Sequence, residues 1–158
     1  MEQRETSGDA FMTRIGQAAM LLHGGDREEA RNRFGELWTE IGEAGDALHR
    51  CTLAHYMADT QDDPGDELAW DLRALTAADG LGGGEERPAW PETSPAVRAF
   101  YPSLHLNLAA DYVKLQRPDS ARIHLDRARD AADALGEDGY GNGVRAGIDR
   151  LERRLRER

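Results

Sequence analysis

The chain has 158 residues, 30 Asp plus Glu against 20 Lys plus Arg, a formal charge of −10 and 39 % hydrophobic residues. This length suits one compact domain that can bury enough surface to fold without bridges or a structural metal, and it excludes two large domains. Cys51 is the one cysteine, so no internal disulfide can form, and the acidic balance argues against nucleic-acid backbones and anionic membranes as general partners.

The first residues are polar, and no later run approaches the roughly 20 apolar residues of a membrane span. A reduced, cytoplasmic protein is expected, with residues 1–8 as a flexible lead. Lys114 is the single lysine among the basic residues, and this Arg bias, beside abundant Ala, Gly and Asp, suggests GC-rich bacterial coding. Phe11, Ile15, Ala18 and Leu22 keep a helical rhythm that His23-Gly24-Gly25 interrupts. Asp26 and Glu29 form a capping-box pattern before a helix whose stripe is Ala30, Phe34, Leu37, Trp38 and Ile41.

Asp46 is a plausible N-cap for a third helix carrying Leu48, Cys51, Leu53, Ala54 and Met57. Asp62 to Gly65 makes a turn into a fourth, with Leu68, Leu72 and Leu75 as its inward face and an end near Gly80. Ser94-Pro95 reads as the next helix start, and Pro102 predicts a kink or restart, with the regular part over 103–115. Pro118 opens a helix facing inward through Ala121, Leu125 and Ala128, with Gly136 as its stop. The last helix carries Val144, Ile148, Leu151 and Leu155, and the cations from Arg145 onward suit its C-terminal end. No stretch alternates with period two, so the prediction is all-α over residues 9–158, interrupted by a Gly/Pro-rich insert at about 79–94.

The hairpins align on one another. Ala30/Phe34/Leu37 falls on Leu68/Leu72/Leu75 and on Ala121/Leu125/Ala128, while Ala18 falls on Ala54 and Ala109. In the third unit, Leu108-Ala109, Tyr112, Ala121, Leu125 and Ala128 follow the spacing of a unit of about 34 residues. In this the chain resembles the tetratricopeptide repeat family. The resemblance covers about residues 11–135 and implies a right-handed α-α superhelix of about three hairpins closed by a C-terminal capping helix.

The resemblance also implies a concave groove, lined by the first helix of each hairpin, that takes a partner protein or peptide. The residues that would line it are Ile15, Ala19 and His23, then Cys51, His55 and Asp59, then Ser103, Leu106, Asn107, Ala110 and Lys114. Helical spacing independently places Cys51, His55 and Asp59 on one face. The two-carboxylate clamp used by some family members is missing, because Ile15, Ala19, Ser103 and Asn107 stand at its positions.

Trp70 and Ile123, off the inward stripes, are candidate contact residues, with a second copy of the chain as one occupant. Trp90, between Pro88 and Pro91, suggests an alternative in which the insert closes as a lid over a small ligand or peptide, as in a sensor. No phosphate loop, zinc-protease motif or nucleophile elbow occurs, and Cys51 with His55 and Asp59 lacks both paired thiols and an oxyanion site. The expectation is a non-catalytic binding protein without cofactor or metal.

Overall fold

The computed structural model describes residues 2–81 and 95–157, with side chains described over 10–79 and 100–157. The described residues form seven α-helices and no strand: α1 (Glu2–His23), α2 (Arg27–Ile41), α3 (Ala47–Asp59), α4 (Pro64–Leu81), α5 (Pro95–Lys114), α6 (Pro118–Ala131) and α7 (Gly139–Arg156). A 3-10 turn, Ala132–Ala134, follows α6. The all-α expectation therefore holds. No described helix is long and apolar enough to cross a membrane.

Local chemistry accounts for most of the breaks. After α1 the chain reverses through Gly25, whose φ of 94° is a left-handed conformation open to glycine at little cost. The Asp26 amide closes this turn on the Leu21 carbonyl at 2.8 Å. Asp26 itself makes no side-chain cap, so the expected capping box is absent. Asp46 does cap α3, its Oδ1 accepting from the Leu48 and His49 amides at 2.9 and 3.1 Å. Asp138 does the same for α7 through the Gly141 amide.

α1 starts at Glu2. Two helix expectations need correction. α5 runs unbroken through Pro102; the proline sacrifices one backbone hydrogen bond, but Tyr101 and Leu104 on either side are buried and hold the helix in place. α6 ends at Ala131 rather than near Gly136, and its last turn tightens into the 3-10 segment.

Packing follows chain order. Each helix packs on the next, and α1 also touches α3, as α5 touches α7. The core is correspondingly serial. Phe11, Ile15, Phe34 and Leu53 anchor a first apolar cluster among α1, α2 and α3. Cys51, Ala74, Ala78, Tyr101 and Leu104 anchor a second among α3, α4 and α5, and Val113, Leu125, Ile148 and Leu155 a third among α5, α6 and α7.

The inward stripes of α6 and α7 are buried as predicted, and in α2 Ala30, Phe34 and Leu37 are buried while Trp38 and Ile41 are partly buried. That of α4 is not. Leu72 is 39 % exposed, whereas Asp71, Ala74 and Ala78 are buried. The helix has turned its alanine face to α3 and α5, since small side chains let helix axes approach closely, and it carries Asp71 inward with that face.

Candidate functional site

Two buried acids, Asp71 of α4 and Asp111 of α5, face each other where those helices meet. On α4, Glu67 and Asp71 are one turn apart and share a face; on α5, Asn107, Asp111 and Lys114 share another. One carboxylate oxygen each from Glu67, Asp71 and Asp111 lie within 4.8 Å of one another. Asp71 is 2 % exposed and Asp111 1 %. Asp71 Oδ1 and Asp111 Oδ2 are buried with no hydrogen-bond partner.

Around this centre the other groups are paired. Lys114 Nζ donates to Glu67 Oε1 at 2.8 Å, with the lysine side chain half exposed at the rim. Asn107 Nδ2 lies 3.2 Å from His55 Nδ1 and joins α5 to α3, while the His55 ring meets Phe100 edge-on.

The electrostatics follow from burial. Burial raises the Asp71 carboxyl, and the facing Asp111 adds to the rise. Burial likewise raises Asp111 above the usual carboxylate range. His55 is lowered by burial, against the pull of Asp59, which favours a ring whose Nδ1 can accept from the Asn107 amide. Asp59 is exposed overall, yet protein crowding one side raises its carboxyl; His55, His23 and Lys114 pull it back, and Glu67 pushes with the burial.

The residues assigned to a groove thus divide into two groups. His23, His55, Asp59, Asn107 and Lys114, from α1, α3 and α5, share this neighbourhood. Cys51 and Ser103 are buried instead. Cys51 sits among Ala54, Ala74 and Leu104, where burial pushes its thiol up to about 12, leaving neither a nucleophile nor a ready ligand. Ser103 Oγ pairs with the Tyr140 hydroxyl at 2.7 Å, a link from α5 to α7. Ile15 and Ala19 are also buried.

Trp70 is half-buried, edge-on to Trp38 at 5.1 Å with the Arg73 guanidinium over its ring, so the pairing with Ile123 as two exposed apolar residues is not met. Ile123 is 51 % exposed. Trp90 lies outside the described residues.

Sequence reading passed over Glu67, Asp71 and Asp111. A signal was present. Two acids four residues apart frame the first leucine of the α4 stripe, and Asp111 interrupts the apolar run from Leu108 to Val113. Charged residues are assigned to solvent by default, and only the rotated face of α4 shows otherwise.

No protein-family model, no curated protein and no solved structure matches the chain.

Proposed function

We propose that this is a non-catalytic interaction protein of the bacterial cytoplasm, a tetratricopeptide-like superhelix that binds a partner protein or peptide across the α1, α3 and α5 face. One observation carries the reading: the C-terminal ends of three alternate helices bring His23, Asp59 and Lys114 into a single electrostatic neighbourhood, bordered by His55 and Asn107. Such an array suits recognition, because charges of both signs at a rim set the register and orientation of a partner more than its affinity. The succession of helix contacts, next neighbour and next but one, supports a repeat arrangement.

The reading also restricts the site. Cys51 and Ser103 are covered and play no part in contact, so a partner rests on the rim residues. Affinity purification from the native cell with the wild-type chain, Asn107→Ala and Lys114→Glu tests this, with circular dichroism to verify folding. Loss of the same partners from both folded variants is expected. Retention of every partner by both overturns the reading.

A further inference from the structure

We propose that Glu67 and Asp71 of α4 and Asp111 of α5 form a binding site for one hard divalent cation, Ca2+, Mg2+ or Mn2+. The inference is independent of any protein partner. Three observations converge on it.

The first is geometric. One oxygen from each carboxylate lies within 4.8 Å of the others, and a cation with oxygen ligands at about 2.0–2.6 Å spans about 4–5 Å across its own coordination sphere. The donors come from two helices, so an ion between them would tie α4 to α5.

The second is satisfaction. The Asp71 and Asp111 carboxyls hydrogen-bond to each other, yet one oxygen of each, Asp71 Oδ1 and Asp111 Oδ2, is buried without a partner, on side chains 2 % and 1 % exposed. Buried carboxylates are normally paired or bound to metal. The neighbouring donors are engaged elsewhere: the Asn107 amide with His55, and Lys114 with Glu67 Oε1 at the rim.

The third is charge and donor type. With every carboxyl ionised, the three acids and the single Lys114 ammonium carry two excess negative charges, so a divalent ion would match the site after displacing the proton that the buried Asp71–Asp111 pair holds when empty. The donor set is all oxygen. Soft or borderline ions such as copper and zinc favour thiolate or imidazole, whereas Ca2+, Mg2+ and Mn2+ take carboxylates. Lys114, half exposed, is the cluster's paired cation, and an ion bound to Glu67 would compete with it.

The competing account is that Asp71 and Asp111 share a proton and hold no ion. The full chain, stripped with a chelator and exchanged into neutral buffer, is titrated separately with CaCl2, MgCl2 and MnCl2 by calorimetry, with thermal unfolding followed in parallel. Expected are one ion per chain for at least one of the three salts and a Tm that climbs with its concentration. Asp71→Asn and Asp111→Asn should each weaken binding roughly tenfold or more, and Asp126→Asn, at an exposed position on α6, should leave it unchanged. Glu67→Gln, at the edge of the cluster, supplies the same comparison if an aspartate variant fails to fold. Absence of heat and of any Tm change into the millimolar range for all three salts overturns the proposal in favour of the shared proton. Equal binding by Glu67→Gln, the folded aspartate variants and Asp126→Asn overturns it by placing the ion elsewhere.

Discussion

α5 has two faces in two different environments. Toward α6 and α7 it offers Ala109 and Val113 to an apolar cluster with Ala121, Leu125, Ile148 and Leu155. Toward α3 and α4 it offers Asn107, Asp111 and Lys114 to a junction rich in acids. The first face can be accounted for by area removed from water. The second bears a cost, since its Asp111 Oδ2 and the Asp71 Oδ1 of α4 are buried without a partner. A helix that stabilises the fold on one side and strains it on the other places its unexplained chemistry on the strained side, and substitutions can test that division.

The largest effect belongs to the apolar side. Leu125 is buried at the centre of the third cluster, beside Val113 and the α7 stripe. Leu125→Ala removes that contact and leaves a cavity, at a cost of about 2–5 kcal/mol. Denaturant unfolding of the full chain measures it. A loss below about 1 kcal/mol would mean that α6 and α7 contribute little, and the contrast between the two faces would fail.

The α5–α6 contact also holds a polar pair that separates burial from strain. His105 Nδ1 and His124 Nδ1 are 3.1 Å apart, with the rings stacked at 5.3 Å. Burial lowers His105 to about 4, and the facing His124 and Arg127 add to this against Asp79. Tyr101 also stacks near its ring, 6.4 Å between centroids. The neutral ring is the one the fold accepts. Its contribution to stability is therefore complete above the unfolded value of about 6.5 and is lost as pH falls from there through about 4. Melting curves from pH 7.5 down to 4.5 should show a steeper decline for the wild type than for His105→Gln, the difference approaching about 1–2 kcal/mol. Parallel curves would show that His105 is free to protonate in the fold.

On the acidic side little is lost. With a chelator present at neutral pH, Asp71→Asn should change stability by less than about 1 kcal/mol, because its amide can donate to Asp111 as the raised, protonated Asp71 carboxyl does. Thermal unfolding in chelator reads this directly. A larger loss of stability would show that the aspartate pair already holds the fold together without an ion, and the two faces would then differ in composition but not in strain.

These two sides were not equally legible in the sequence. Where apolar residues at helical spacing fill the contact, as in Ala121/Leu125/Ala128 and Val144/Ile148/Leu151/Leu155, pattern and burial agree. α4 breaks the agreement. Leucines suggested Leu68, Leu72 and Leu75 as the inward face, but close approach to α3 and α5 selected Ala74 and Ala78, and Asp71 travels inward with them. That choice depends on interhelix distance, which no single-helix period encodes. The start of α5 was placed too late for a related reason, since the breaking tendency of Pro102 is local and the burial of its neighbours is not. Of the candidate site, His55, Asp59, Asn107 and Lys114 were legible through spacing and the repeat, whereas the acids that face them were not.

The smallest effect is the most diagnostic of the rim. Lys114 and Glu67 form an ion pair with a half-exposed lysine, the kind of contact worth about 0–1 kcal/mol at a surface. Glu67, however, is more covered than Lys114 and stands within 4.8 Å of two buried carboxylates. Lys114→Gln therefore removes the counter-charge of a cluster as well as the partner of one residue, and its cost should lie near or just above the upper end of that range. Glu67→Gln relieves repulsion with Asp71 and Asp111 while losing the pair, so it should be nearly neutral. The double variant should then recover most of the Lys114→Gln loss. A double-mutant cycle in thermal unfolding measures this coupling. Additive single effects would make Lys114 an ordinary surface cation and leave the excess negative charge of the α4–α5 junction uncompensated from the rim.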